Sequence, residues 1–355
     1  MNKLTRRIIT VSVSAVCSAV LLIAVAAETS IDQLLSIFRN TDRSLLRCYI
    51  ALSFGALLIR AYRYRLLFDA FGSQDSGRQR YKFSDMAAIT AIRNVVVDMI
   101  PGRAGELLTI YFFKQISVPI VTAGHSILAL FILDAAILSS LVAMVGIFSI
   151  FVFGGIFPDP ATGAAPASHL IILLAAIPLC GAAFWLFYRL DSVVLGVVRR
   201  FFPRYTSGPA EHPVLVRFSQ DYCALRTSGF LIPLAGVTFV LRLLKYSALY
   251  LLLLAVVVQW GLSSAEISFP AAFVSFVAAE GVATLPASGL FGFGAYEGTW
   301  GVIFSYLGLK SVPVFSVIFA VHIITQVVAL FLSLVGFGWI SRPAVDRNRK
   351  AQELQ

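Results

Sequence analysis

The stretch Arg93-Asn94-Val95-Val96-Val97-Asp98-Met99-Ile100-Pro101-Gly102-Arg103-Ala104-Gly105-Glu106 decides how this chain is read. Apolar sequence on both sides carries it into a bilayer, yet it holds two arginines, two carboxylates, a proline and two glycines. Each intramembrane charge costs about 2.5–3.5 kcal/mol on insertion scales, so such residues face partners or a wet cavity. Backbone freed by a proline and glycines is tolerated at that depth only inside protein or along a cavity. The spacing predicts a broken, re-entrant hairpin over 84–113. A second broken segment over 267–309 repeats the pattern. It carries Glu280, then Leu285-Pro286-Ala287-Ser288-Gly289-Leu290-Phe291-Gly292-Phe293-Gly294-Ala295-Tyr296-Glu297-Gly298.

Composition agrees. Of 355 residues, 59% are hydrophobic and 13% charged, with a mean hydropathy of +0.86. A soluble domain carries about 25% charged residues, so the chain is an integral membrane protein. A net charge of +10 would suggest nucleic acid in a soluble protein. Here the basic residues sit in ends and loops, where the positive-inside bias accounts for them. Cys17, Cys48, Cys180 and Cys223 have neither metal nor redox spacing.

Outward from the hairpin, Lys3, Arg6 and Arg7 precede an apolar run over 8–27, long enough for a span, with a cleaved signal peptide as the competing reading. Residues 28–44 are external. Apolar sequence over 45–67 returns to a basic cluster of Arg60, Arg63, Arg65, Arg78, Arg80 and Lys82, which marks the cytoplasm. Arg60 is expected to snorkel to the interface, with a role on a substrate phosphate as the alternative. A long segment over 119–153 ends in a loop without lysine or arginine, hence external. Asp134 within it needs a partner, Arg93 or Arg103. A span over 169–188 leads into a basic cytoplasmic loop over 189–228, where 193–202 reads as an interfacial amphipathic helix. Spans over 229–258 and 313–340 bracket the second hairpin, and the basic tail from 341 to 355 is cytoplasmic.

The expectation is an all-α polytopic membrane protein: one transmembrane domain of about six full spans plus two broken re-entrant hairpins. The first repeat runs over about 8–153 and the second over about 168–340 in inverted topology. Such symmetry places a site at the bilayer midplane between discontinuous helices.

The hairpins supply the chemistry. Gly105-Glu106 opens a descending half-helix, whose free N–H groups and dipole suit anions. Arg103 at the tip adds a fork able to hold a phosphate bidentately. The alternative is a local Arg103–Glu106 pair, satisfied at i,i+3. Glu297 opens the second half-helix without an adjacent base. Glu297 or Glu280 either couples a proton or pairs with Arg93 or Arg242. His322 and Gln326, one turn apart, suit an interhelical hydrogen bond better than a proton relay. Hydrolase, zincin and nucleotide-loop patterns are absent, which points away from an enzyme, and nothing calls for a cofactor or metal.

Asn94-(x)6-Pro101-Gly102-Arg103-x-Gly105-Glu106 and Pro286-x-Ser288-Gly289-(x)2-Gly292-x-Gly294-x-x-Glu297 resemble the two signatures of the flippase-like membrane domain family, which includes the membrane half of lysylphosphatidylglycerol synthases. Arg60 and Asp134 also sit where that family carries charge. Two departures stand out: Thr109 occupies the place of a frequent arginine, and Leu290 and Phe291 interrupt the glycine pair. The resemblance implies a stand-alone member, without the synthase domain, that translocates an anionic or polyprenyl-linked lipid across a cell inner membrane, both termini cytoplasmic. On this reading Arg93, Asn94, Arg103, Glu106, Ser288, Gly289 and Glu297 line the substrate cleft, and Asp98, Asp134, Glu280 and Arg60 serve coupling or ion pairing. Membrane lipids are the partners, with a lipid-modifying enzyme or a second copy as a further one. A small-solute carrier and a scaffold for a lipid-modifying system are the other functional classes to be separated.

Overall fold

The computed structural model describes residues 31–71, 81–100, 105–153, 168–201, 213–227, 229–283, 295–306 and 313–353. The run over 8–27, the loop over 154–160 and both hairpin tips, with Arg103, Ser288 and Gly289, lie outside the described residues. Every regular element described is helical: α1 Ile31–Asn40, α2 Arg43–Phe71, α3 Phe83–Met99, α4 Gly105–Gln115, α5 Ile120–Phe153, α6 Ser168–Tyr188, α7 Leu190–Phe201, α8 Pro213–Thr227, α9 Leu231–Val257, α10 Phe269–Ala283, α11 Ala295–Tyr306 and α12 Val314–Glu353.

Among the described residues, four helices are long and apolar enough to cross a membrane: α2, α5, α9 (with the short turn after it) and α12. Leu174–Tyr188 and Ser192–Val198 meet at 73° and make a fifth if counted as one bent span. The expected tally of six full spans is therefore not what the described residues show. The segments expected as hairpin arms are helices of 17, 11, 15 and 12 residues, each under the roughly 20 a span requires. The 73° bend also separates α7 from α6 where an interfacial helix was expected.

Two antiparallel pairs frame the interior. The start of α2 lies against the end of α9, where Asp42 N donates to Ala255 O at 2.9 Å. Asp42 also caps α2, its Oδ1 accepting from the N–H groups of Ser44 and Leu45 at 2.8 Å. The end of α12 lies against the start of α3, where Trp339 Nε1 donates to Asp85 Oδ1 at 2.9 Å. This pair is close because Gly336 is bare: a Cβ there would stand 2.6 Å from the Ala88 carbonyl oxygen. Small residues let helix backbones approach in just this way in membranes. The first hairpin closes by the same device, since a Cβ on Gly105 would stand 2.2 Å from Val96 O. α5 packs along α6 and also reaches α9, bringing Asp134 to the seam between α2 and α9.

Candidate functional site: a basic chamber between the helices

A cavity of about 210 Å³ lies between α2, α3, α5, α9 and α12. Its wall carries Arg60, Arg63, Arg93, Arg242 and Lys245, with Asn94, Asp98 and Asp134, and an apolar side made by Val328, Ala329 and Leu332. At 1.5 Å per residue, Arg60 stands about 16 Å from the end of α2 and Arg242 about 16 Å from the start of α9. Because the two helices run antiparallel, both charges fall at one depth, well inside the spans.

Asp134 is the hub. Its Oδ1 accepts from Arg63 Nη1 at 2.5 Å and from Arg242 Nε at 3.3 Å. Its Oδ2 accepts from Arg63 Nη2 at 3.2 Å and lies 2.9 Å from Arg242 Nη2. Of the two expected partners, Arg93 is not one that Asp134 finds, and Arg103 lies outside the described residues. α5 presents it to the α2–α9 seam, and Arg93 is already taken: its Nε donates to Glu106 Oε2 at 3.0 Å and its Nη2 to Oε1. Glu106 thus pairs with α3 from the first turn of α4, while Arg103, the alternative local partner, lies outside the described residues. Glu280 is bound by Lys245 Nζ at 2.5 Å and by the Tyr246 hydroxyl at 3.0 Å, not by Arg93 or Arg242.

Arg60 does not snorkel outward. It turns to the chamber and its Nη1 donates to Asn94 Oδ1, a neutral amide. Arg63, expected to mark the cytoplasmic loop, is 2% exposed and belongs to the core. Glu297 is fully buried and lies 2.7 Å from His322 Nδ1, away from the chamber wall. The interhelical hydrogen bond expected of His322 is therefore present, and Glu297 meets neither Arg93 nor Arg242.

Arg63, Arg242, Lys245 and Tyr246 were missed as members of one site. A signal for them was available: Arg60-x-x-Arg63-Tyr64 in α2 and Arg242-x-x-Lys245-Tyr246 in α9 are the same pattern in two spans. The i,i+3 spacing puts both bases of each pair on one helix face.

Among the described residues the chamber's five cations meet four carboxylates: Asp98 and Asp134 in the wall, Glu106 and Glu280 behind it. Asp134, Glu106 and Glu280 are spent on Arg63 with Arg242, on Arg93 and on Lys245, while Arg60 holds only an amide. A guanidinium in that position offers free N–H groups in the fork geometry that binds phosphate or carboxylate.

These features define a polytopic α-helical membrane protein with an intramembrane chamber suited to an anion. A family profile described as the lysylphosphatidylglycerol synthase TM region matches residues 8–333, and the chain belongs to that family. No curated protein matches it.

Proposed function

We propose that this protein is a lipid translocase of a cell inner membrane, holding an anionic lipid headgroup in the chamber while the acyl or prenyl chains stay in the bilayer. The observation that carries the proposal is Arg60: a cation at mid-depth, lining a cavity and hydrogen-bonded to a neutral amide. Burying a charge without a counter-charge is costly, and a bound phosphate removes that cost. The size of the chamber favours a headgroup over a whole solute, because its 210 Å³ falls below the roughly 300–1,000 Å³ typical of pockets that enclose small molecules. Asn94 and Arg60 hold the phosphate, Arg63 and Arg242 reinforce the field through their shared carboxylate, and the lipid leaves chemically unchanged.

The mechanism we infer is alternating exposure of the chamber by two inverted repeats, both termini cytoplasmic. The neighbour relations support a repeat: α2 packs on α3 as α9 does on α10, α3 on α4 as α10 on α11, and α4 on α5 as α11 on α12. In such folds, rocking of one repeat against the other switches access around a fixed site.

The test is leaflet exchange of fluorescent phosphatidylglycerol, phosphatidylethanolamine and a polyprenyl phosphate in proteoliposomes. Wild type is expected to accelerate one anionic class. Arg60→Gln is expected to slow it about 10- to 100-fold, the equivalent of one charge-assisted hydrogen bond of about 1.5–3 kcal/mol, while remaining folded. Exchange that is equal for all lipids and unchanged in Arg60→Gln defeats the proposal, and uptake of a free anion without lipid moves the function to a solute carrier.

A further inference from the structure

The two bases on α2 and the two on α9 divide their partners in the same way. On α2, Arg63 goes to Asp134 and Arg60 to Asn94. On α9, Arg242 goes to Asp134 and Lys245 to Glu280. Asn94 is the twelfth residue of α3, and Glu280 the twelfth of α10. The two arrangements differ in one respect: an amide stands in the first where a carboxylate stands in the second. The amide leaves the charge of Arg60 to an incoming anion, whereas Glu280 neutralises Lys245.

Lys245 nonetheless lines the cavity. Its side chain is 28% exposed and that of Glu280 23%, against 15% for both Arg93 and Glu106 and 2% for Arg63. Among the described residues, Lys245–Glu280 is thus the most open ion pair of the chamber. A lysine ammonium is a compact charge with three donors on a flexible stem, so exchanging one oxyanion for another needs only a rotation of that stem. Glu280 has a second donor to fall back on, the Tyr246 hydroxyl at 3.0 Å. Lys245 follows Arg242 by three residues, which places it about 4.5 Å further along α9. That is a short step in depth from the level Arg60 and Arg242 share.

We propose that Lys245 is a second subsite for a phosphate group, latched by Glu280, and that the phosphate of the headgroup displaces Glu280 as it moves on from Arg60. The proposal rests on the transport reading above. With the headgroup on Lys245, Glu280 keeps only the Tyr246 hydroxyl, and α10 loses its ionic tie to α9. The return of Glu280 to Lys245 expels the phosphate, because a carboxylate held inside the protein without a counter-charge is costly. Glu280 thereby keeps the subsite weak enough to empty, and α10 is loosened only while a headgroup is passing.

The experiment titrates inorganic phosphate into the purified protein by calorimetry and follows exchange of fluorescent phosphatidylglycerol in proteoliposomes. Glu280→Gln and Glu280→Asn, the second copying the Arg60–Asn94 pair, should each bind phosphate about tenfold tighter than wild type, the scale of one charge-assisted hydrogen bond. The gain should vanish when Lys245→Gln is added. It should survive in an Arg60→Gln background, which separates contact with Lys245 from a stronger field at Arg60. Lipid exchange should slow in both Glu280 variants despite the tighter binding, since nothing returns to expel the headgroup. In difference infrared spectra, phosphate should shift a carboxylate band of wild type that Glu280→Gln lacks, and an unshifted band overturns the displacement. Wild-type affinity in both folded Glu280 variants, or a gain that persists without Lys245 or is lost without Arg60, overturns the subsite and leaves the headgroup to Arg60. If wild type exchanges no phosphatidylglycerol, the transport reading falls for that lipid. A Lys245-dependent gain in phosphate affinity then assigns the subsite to free phosphate, and no gain overturns it as well.

Discussion

Replacing Asp134 tests whether the chamber is held together by charge. The carboxylate makes four contacts of 2.5–3.3 Å with Arg63 and Arg242. At 4 Å and an effective dielectric of about 20, each unit-charge pair is worth about 4 kcal/mol, or about 8 kcal/mol gross for both arginines. Desolvation of all three groups offsets much of this, and the Asp134 side chain keeps 16% of its surface toward the chamber. Removing one partner of a buried pair costs about 3–5 kcal/mol. Asp134→Ala is expected in that range because two cations lose their counter-charge at once. Asp134→Asn should lose nearly as much, since its amide turns N–H donors toward a guanidinium. Replacing Arg63, Asp134 and Arg242 together by Met, Leu and Met should recover most of the loss, because apolar substitutes for a buried ionic cluster are neutral or stabilising. The measurement is reversible unfolding in mixed micelles with added denaturing detergent, read by tryptophan fluorescence. Inorganic phosphate provides a second readout. It should stabilise Asp134→Ala by about 2.7 kcal/mol at a hundredfold excess over its dissociation constant, and wild type by less at the same concentration. An Asp134→Asn protein as stable as wild type, together with a triple variant no better than Asp134→Ala, refutes the reasoning.

Two further predictions concern packing and pH. Gly105→Ala and Gly336→Ala must push a methyl against carbonyl oxygens now 2.2 and 2.6 Å from its place. Each should lose about 1–3 kcal/mol in the same unfolding assay, the usual cost of overpacking. Gly338→Ala, with nothing within 4 Å, should be neutral, and equal effects at all three defeat the close-approach argument. Outside the spans, the Ser263 hydroxyl and N–H, at 2.6 and 2.8 Å, hold the Glu266 carboxyl below its ordinary value. A depressed value stabilises the fold above the unfolded-state value, and that contribution fades as pH falls through the folded one. Carbon-13 titration should therefore find Glu266 moving up towards its ordinary value in Ser263→Ala, and an unmoved titration rejects the assignment.

Much of this fold was legible because lipid leaves a chain few choices. Apolar runs near 20 residues predict helices, and α2, α5, α9 and α12 stand where those runs lie. Charge and proline in apolar surroundings marked the breaks between short helices, and α3, α4, α10 and α11 stand on either side of them. What the sequence did not reveal was which charges meet. The sequence offered Arg93 or Arg103 for Asp134, Arg93 or Arg242 for Glu280, and a local Arg103–Glu106 pair as an alternative to a bound phosphate. The actual pairs cross between helices, Arg63 and Arg242 to Asp134 and Lys245 to Glu280. The positive-inside rule misled at Arg63, because it counts basic residues near span ends without knowing which ones face inward. An arginine followed three residues on by a second base, once in each of two long spans, was the better guide.

The two short helices that open with a glutamate differ in what that glutamate meets. Each returning arm opens with a glutamate, Glu106 in α4 and Glu297 in α11. Glu106 meets an arginine, which keeps its charge at any pH the membrane sees, so that hairpin is a fixed electrostatic wall of the chamber. Glu297 meets the imidazole of His322, so the two glutamates have partners of different chemistry. Exchanging the partners offers a direct trial of the argument. His322→Arg should keep a cation on Glu297 and leave exchange of the headgroup in proteoliposomes intact, because Arg60 and Asn94 lie elsewhere, on the chamber wall. Loss of exchange in a folded His322→Arg protein shows that the Glu297 contact bears on the headgroup as well.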